Sequence, residues 1–396
     1  MPDCVLSTLQ SRQQQWAANP TTSYELDEVL NKYQHQNREE VASFFGVKKN
    51  NICLTDNTTM GCNMTILGLS FRPNDKVVTT NHEHNAIKSP LQVVQERLGV
   101  SIEKRSFPIA SELNKMSSTQ IIDSLFPDTP TLRNAKALCV SHVYPTTGVR
   151  LPLSLLREKA DQLNIPYLLV DGAQALGMTD LRKDGDSMEH CDFYAGPGHK
   201  WLNGPPGTGV LYIRNADIRP PEFFPMLSQR MGKYTDSTSQ FPMTEALQVR
   251  GCSNTPGFAA MVTALKRINE FGGPGQVEKH ILGLSEKVKN FIISRSPDSI
   301  ISPHTDADLQ SGLSAFFPFK WDQPNVIYRD KKTVQWVVSE LLKKNIQVRS
   351  IGFENGASGN ADYAIRVSTA LFNSTEDVNS FANALQDILK RSFAQV

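Results

Sequence analysis

Residues 135–172, AKALCVSHVYPTTGVRLPLSLLREKADQLNIPYLLVDG, decide the fold. The two ends of this stretch, AKALCVSH (135–142) and IPYLLVDG (165–172), are near-continuous apolar runs. Between them, PLSLLREKADQLN (152–164) has a helical pattern. Strands that are apolar on both faces belong in a sheet covered on both sides, and a helical crossover makes consecutive strands parallel. The same alternation extends upstream. SYELDEVLNKYQHQNREEVASFFGV (23–47) reads as a long amphipathic helix with Ser23 as its cap. NICLT, DKVVTTN and VSIEKRSF read as strands, and TTMGCNMTILGLS, AIKSPLQVVQERLG and SSTQIIDSLF as helices. The class is therefore α/β, not a sandwich or a bundle.

The pattern changes near EFGGPGQ (270–276). Beyond it come a helix (VEKHILGLSEKVKNFII), isolated strands (GLSAFFPF, NIQVRSIG, YAIRVST) and a last helix, STEDVNSFANALQDILKR. That is an α+β arrangement. The expected organisation is an N-terminal helical segment (1–22), a large domain (23–272) and a smaller C-terminal domain (273–396).

Composition narrows the function classes. With 396 residues, 39% apolar and 20% charged, the chain is an ordinary globular protein with room for two cores. A net charge of +1 supplies no field to gather nucleic acid or an anionic membrane, so small molecules or a second copy of the chain are the expected partners. The six cysteines are scattered with no CxxC pair, and no window approaches a membrane-spanning length of apolar residues. MPDCVLSTLQSRQQQW has neither a basic nor an apolar leader region, and an intracellular, cytoplasmic protein is expected. The N-x-S/T triplets at Asn57, Asn63 and Asn373 then carry no meaning.

Chemistry concentrates in DFYAGPGHKWLNGPPGTGVLYIR (192–214). GPPGTG has the look of a phosphate-cradling P-loop, but Gly209 is followed by Val210 and Leu211 where that loop needs a lysine and a hydroxyl residue. GVLYIR reads as a strand, so GPPGTG is a tight turn. Lys200, in a glycine-rich turn after a β-run, sits where α/β proteins bind ligands, and its amine can form a Schiff base with a carbonyl cofactor. Asp171 closes an apolar strand at the same sheet edge, where an acid either caps the next helix or holds a proton on a pyridine nitrogen. Gln174 follows within reach of a ring hydroxyl. Thr58 and Thr59 start a helix after a strand, which is either simple capping or an anion site. His82 and His84 form an H-x-H without a third ligand cluster, so stacking on a cofactor ring fits better than metal.

Taken together, TDNTTMGCN, NHEHNA, SHVYPTTGVRLP, DGAQALG, AGPGHKW and AIRVSTALFNSTEDV resemble, in order and spacing, the class V aminotransferase family of fold-type I pyridoxal-phosphate enzymes. That family includes cysteine desulfurases, cysteine and cystine C–S lyases and isopenicillin N epimerase. The resemblance runs from about residue 24 to the end. It implies a mostly parallel seven-stranded sheet, a small C-terminal α+β domain, pyridoxal 5'-phosphate as cofactor and a homodimer. Lys200 would carry the cofactor and move the substrate α-proton. Asp171 would pair with the pyridine nitrogen, Gln174 with the ring oxygen, and His84 would stack on the ring. Thr58, Thr59 and His199 would hold the phosphate, and Arg366 the substrate carboxylate.

Three departures stand out. Pro197 replaces a phosphate-binding hydroxyl residue of relatives, and Cys252 stands where a threonine usually reaches the partner subunit's phosphate, with Ser253 as a substitute. MPDCVLSTLQ resembles the stretch that comes after a glycine-rich N-x-G-x-x-G-P segment in relatives, so that part of the pocket is expected to be missing or rebuilt. Desulfurases also carry a persulfide-forming cysteine ahead of the arginine, and VRSIGFENGASGNADYAIR has none. The leading expectation is a C–S lyase acting on cystine, an S-conjugate or a cysteine sulfoxide. The alternative is an epimerase, for which Tyr144 is the candidate second acid/base group. Transamination, β-decarboxylation and a non-catalytic cofactor-binding homologue remain open.

Overall fold

The computed structural model describes residues 1–18, 27–108, 110–226, 241–251, 253–354 and 361–391, with the backbone alone at 27–35 and 110–111. Seven strands form the main sheet: β1 Ile52–Thr55, β2 Lys76–Thr80, β3 Ser101–Arg105, β4 Ala137–Ser141, β5 Tyr167–Asp171, β6 Phe193–Pro197 and β7 Gly209–Ile213. Their order is β1-β7-β6-β5-β4-β2-β3. Strand β7 runs against both its neighbours, β1 and β6, and the other pairings are parallel.

Residues 135–172 form the middle of this sheet. Strands β4 and β5 are buried at every position. Side chains alternate between faces with period two. Leu138, Val140, Leu168 and Val170 therefore enter one core, while Ala137, Cys139, Tyr167 and Leu169 enter the other. The crossover helix Leu153–Gln162 covers the first face through Leu153, Leu156 and Ala160. Each such leucine contributes roughly 1.5–3 kcal/mol by leaving water. Asn164 ends the crossover at φ +54, a left-handed turn that asparagine tolerates. At the far edge, β3 (SIEKR) is only partly covered, and its charges suit an edge strand.

A second sheet lies C-terminal, as expected for the α+β part. Strands β8 Leu313–Phe316, β11 Arg349–Glu354 and β12 Ala361–Ser368 pair antiparallel in the order β11-β12-β8, beside a hairpin of β9 Phe319–Lys320 and β10 Gln323–Ile327. Val288, Ile292, Phe316, Val334, Phe381 and Leu385 fill its core. The helix Pro274–Ile293 belongs to both parts: Val277 and Ile281 pack in the large core, while Leu284, Val288 and Ile292 pack in the small one. A division after residue 272 therefore falls at the start of a helix that bridges the two cores.

The first helix, Asp3–Ala18, packs through Val5 on Ala260 and Ala264 of the helix Thr255–Glu270. The next helix is seen over Asp27–Phe45, and Ser23, expected to cap it, lies outside the described residues. Among the described residues no helix is long and apolar enough to cross a membrane.

Candidate active site

The carboxyl ends of β1, β2, β4, β5 and β6 meet at one edge of the sheet, where α/β folds bind ligands. Asp171 ends β5, in register with Ser141 on β4 and Ala195 on β6. The side chain is 2% exposed, and Oδ1 accepts the Ala173 N–H at 2.8 Å. Oδ2 is buried without a partner. Burial raises its pKa above the usual carboxylate range, against the Ala173 hydrogen bond and the charges of Lys200 and His84. An unmet buried carboxylate oxygen is costly, and a ring N–H is the kind of donor it lacks. Three residues on, Gln174 Oε1 accepts the Trp201 indole N–H at 3.0 Å. Indole only donates, so the Gln174 amide N–H groups remain to meet a ring oxygen.

Lys200 follows β6 in the turn Gly198–His199–Lys200. It is exposed, but the surrounding protein partly desolvates it. This desolvation lowers its pKa, Asp171 opposes the shift and Arg366 adds to it. His199 is likewise open, with its pKa lowered by desolvation and by Lys200 and supported by the Thr208 backbone. Arg366 reaches across from β12: Nη1 donates to Pro145 O at 2.7 Å, and Nε is buried without a partner. Desolvation lowers its pKa, and Arg349 adds to the shift. Arg349 stands directly opposite Arg366 in the β11–β12 register. Like charges at opposed positions weaken a sheet, so sheet stability does not explain this pair.

Thr58 is the first residue of the helix Thr58–Gly68, and its buried hydroxyl has no partner. Asn57 already caps this helix by accepting the Met60 N–H at 2.9 Å, so capping does not explain Thr58. Thr59 beside it is exposed. The GPPGTG turn comes close: a Cβ on Gly209 would lie 3.1 Å from Asn57 Cα and 2.8 Å from Gly196 O. This segment is a turn into β7, as its sequence implies. Pro197 ends β6 and is buried, and the Thr208 hydroxyl is engaged with Pro205 O at 2.6 Å. Cys252 lies outside the described residues. Ser253 precedes Asn254, which donates to Gly207 O at 3.0 Å and so sets this segment against the same turn. The next hydroxyl, that of Thr255, is buried and unpartnered.

The two histidines of the H-x-H differ. His84 is exposed at the start of the helix Asn85–Leu98, where Nδ1 accepts the Ala86 N–H at 3.1 Å, and its charge acts on Asp171. His82 stacks on Phe107 with centroids 5.2 Å apart, and burial lowers its pKa to about 4. His84 borders a cleft of about 450 Å³ lined also by Asn85, Lys88, Pro145, Thr146 and Phe353.

Tyr144 corrects the sequence expectation. It is wholly buried, its hydroxyl donates to Glu83 Oε1 at 2.9 Å, and burial and Glu83 push its pKa well above the usual tyrosine range. A sealed phenol already bonded to Glu83 is poorly placed to exchange protons with a substrate. Arg349 and Glu83 were not singled out in the sequence. The opposed arginine pair requires knowledge of the β11–β12 register, and Glu83 is hidden between two more conspicuous histidines.

The donor set fits pyridoxal 5'-phosphate: an orphaned carboxylate for a ring nitrogen, an amide for a ring oxygen, a lysine for the carbonyl, and an orphaned hydroxyl at a helix N-terminus for the phosphate. The family model described as Aminotransferase class-V matches residues 1–381. The chain belongs to the class V aminotransferase family. Its cofactor is pyridoxal 5'-phosphate. Isopenicillin N epimerase of Streptomyces clavuligerus is 25% identical over 287 residues, 71% of this chain and 69% of that protein. A probable cysteine desulfurase of Pyrococcus abyssi (strain GE5 / Orsay) is 24% identical over 385 residues, 93% and 86% respectively. Among solved structures, the cystine C–S lyase C-DES with its reaction product cysteine persulfide matches with TM-score 0.76 and 24% identity, covering 98% of this chain and 94% of that one. A lysine-to-alanine C-DES mutant with glycine covalently linked to its PLP cofactor matches with TM-score 0.78 and 23% identity over the same shares. These likenesses show the fold-type I architecture of class V enzymes.

Proposed function

We propose that this class V enzyme is a carbon–sulfur lyase that performs β-elimination on a cysteine derivative (cystine, an S-conjugate or a cysteine sulfoxide), releasing pyruvate, ammonia and a sulfur product. The observation that carries this reading is the segment VRSIGFENGASGNADYAI (348–365), which precedes Arg366 and contains no cysteine. Persulfide relay needs a thiolate there. Cys53, Cys62, Cys139 and Cys191 are buried, and Cys4 is on the first helix. In this reading the sulfur departs without a thiol from the segment before Arg366 to receive it.

When bound, pyridoxal phosphate supplies an electron sink that acidifies the substrate's α C–H bond. In this reading Lys200 would hold the cofactor carbonyl and, once the substrate amine has taken its place there, its freed amine would take the α-proton, a role helped by its lowered pKa. The C–H electron pair becomes the Cα=Cβ bond, and the Cβ–S pair leaves with sulfur. Arg366 holds the substrate carboxylate, with its Nη1 anchored on Pro145 and its Nε in need of an acceptor. Asp171 holds the ring-nitrogen proton, Gln174 the ring oxygen, and His84 covers one ring face. Thr58, Thr59 and His199 take the phosphate. A two-fold dimer, in which Ser253 reaches the partner's phosphate, a division into segments 1–22, 23–272 and 273–396, and a cytoplasmic location complete the proposal.

The similarity to isopenicillin N epimerase supports a second reading, epimerisation. That reaction needs an acid/base group on the face opposite Lys200, and the burial of Tyr144 weighs against the sequence's candidate. Pyruvate release decides between them. Cofactor-loaded protein offered cystine, cysteine, an S-conjugate and a cysteine sulfoxide should release pyruvate from at least one, and Lys200→Ala should abolish it. No pyruvate from any of them, with racemised substrate recovered, defeats the lyase reading.

A further inference from the structure

Glu83 lies in the loop between β2 and the helix Asn85–Leu98 and is 4% exposed. Its Oε1 accepts the Thr80 hydroxyl at 2.8 Å and the Tyr144 hydroxyl at 2.9 Å, and its Oε2 accepts the Ser141 hydroxyl at 2.6 Å. Among the described residues no cation forms a salt bridge with it. Three hydroxyl donors converging on two oxygens are built for a carboxylate, because an ionised carboxyl only accepts. A buried charge without a cation is expensive, so the arrangement needs a positive partner close by.

The sheet register shows where that partner comes from. Ser141 pairs with Asp171 on the neighbouring strand, so their side chains stand on the same face. Glu83 bonded to Ser141 is thus one strand behind the carboxylate whose Oδ2 has no donor. Two acids share this interior; Lys200 and His84 act on Asp171, while Glu83 has no salt-bridge partner among the described residues, and the titration behaviour agrees. Burial pushes Glu83 up to about 7, its three hydroxyl donors oppose the rise and Asp171 adds to it. The remaining titratable groups facing it are the buried Tyr144 and the neutral thiols of Cys62 and Cys139.

We propose that Glu83 is a positioning residue that places a second negative charge behind Asp171 and so favours the cofactor with a proton on its ring nitrogen. The inference rests on Asp171 serving that nitrogen. In this role Glu83 acts through Ser141 and Asp171. Binding a ring that carries N–H then supplies the missing positive charge, and Glu83 gives up its proton to solvent as the site fills.

The test compares two ligands on cofactor-stripped protein by titration calorimetry: pyridoxal phosphate, and its 1-deaza analogue with C–H in place of the ring nitrogen. In Glu83→Gln, which keeps the shape and removes the charge, pyridoxal phosphate should bind about tenfold more weakly, one pKa unit of coupling. The deaza analogue should be unchanged within about twofold. Equal losses for both ligands would make Glu83 a packing residue and overturn the inference. Wild-type protein that binds both ligands equally tightly would instead overturn the reading of Asp171 at the ring nitrogen, and this inference with it. Should Glu83→Gln not fold, Ser141→Ala keeps the carboxylate but removes one donor, which makes it harder to ionise. Its ligand-selective loss should then be present near neutral pH and shrink as pH rises; a pH-independent or unselective loss overturns the inference.

Discussion

Two buried polar clusters lie at the same end of the main sheet and are built in opposite ways. In one, His142 bridges the Tyr194 hydroxyl at 3.0 Å and Asp186 at 3.1 Å. Arg150 joins Asp186 at 3.3 Å to Glu278 at 2.7 Å and donates to the carbonyls of Asp308 and Ala307, while Lys183 reaches Glu278 at 2.5 Å. In the other, Asp171, Thr58 and Arg366 each keep a buried polar atom with no partner. The titrations follow suit. Burial raises Asp186, but His142, Arg150 and Lys183 outweigh it and hold its pKa below the ordinary range; burial of Asp171 prevails. A polar group satisfied by its own chain is structural, tying the sheet to the bridging helix Pro274–Ile293. One left unsatisfied needs another explanation, and at the ligand-binding edge of the sheet a ligand is the natural one. Orphans also occur elsewhere among the described residues, at Arg157 Nε, Arg214 Nε, Gln248 Nε2, Thr255 Oγ1 and His304 Nδ1, so it is the place of Asp171 and Thr58 at the ligand-binding edge of the sheet that sets them apart.

Substitutions break this comparison from either side. Lys200→Ala should cost the largest factor, roughly 10³-fold or more in pyruvate release, with the melting temperature of the cofactor-free protein unchanged. Arg150→Ala should reverse that pattern. It leaves Asp186 and Glu278 buried without their cation, costing about 3–5 kcal/mol in denaturant unfolding. Asp171→Asn keeps the acceptor for the Ala173 N–H and removes an uncompensated charge. The cofactor-free variant should therefore be as stable as wild type or more so, while the loaded protein loses activity. The signs in pH differ as well. Asp186, depressed, stabilises above its unfolded pKa, and this contribution is lost as pH falls through its folded pKa. Asp171, raised, contributes fully below its unfolded pKa, and this is lost as pH rises through its folded value. Asp171→Asn should therefore flatten the cofactor-free stability profile on the rising-pH side alone.

The fold was legible because its deciding runs are long and two-sided: β4 and β5 are apolar at nearly every position, which only a covered parallel sheet accommodates. The proposed cofactor-site residues stood out in the sequence because Asp171 ends such a run and Lys200 follows another in a glycine-rich turn. Pairwise geometry was not. That Arg349 faces Arg366 depends on the register of β11 and β12, and that Glu83 lies behind Asp171 depends on which strand neighbours β4. Tyr144 was misread for the same reason. Its place after a strand suggested the site edge, whereas the chain turns there and packs the ring on Phe107 with centroids 4.4 Å apart.

The opposed arginines sharpen the comparison, because Arg366 carries one of the unmet buried atoms on the small sheet. Arg366→Ala should lower kcat/KM roughly 100-fold, about 3 kcal/mol for a charge-assisted contact, mainly through KM and without bleaching the cofactor's visible absorption. Loss of colour instead would assign Arg366 to the cofactor. The smallest effect belongs to Thr58→Val, which removes a buried hydroxyl that bonds to nothing and sits beside, not at, the helix cap. Cofactor-free stability should hold or rise by up to about 1 kcal/mol, since an unmet hydroxyl is exchanged for a methyl group. Cofactor affinity should fall about fivefold, the worth of one hydrogen bond to a phosphate oxygen. A variant that loses stability but binds the cofactor normally would mean that Thr58 is satisfied within the chain, and would move it from the ligand cluster to the structural one.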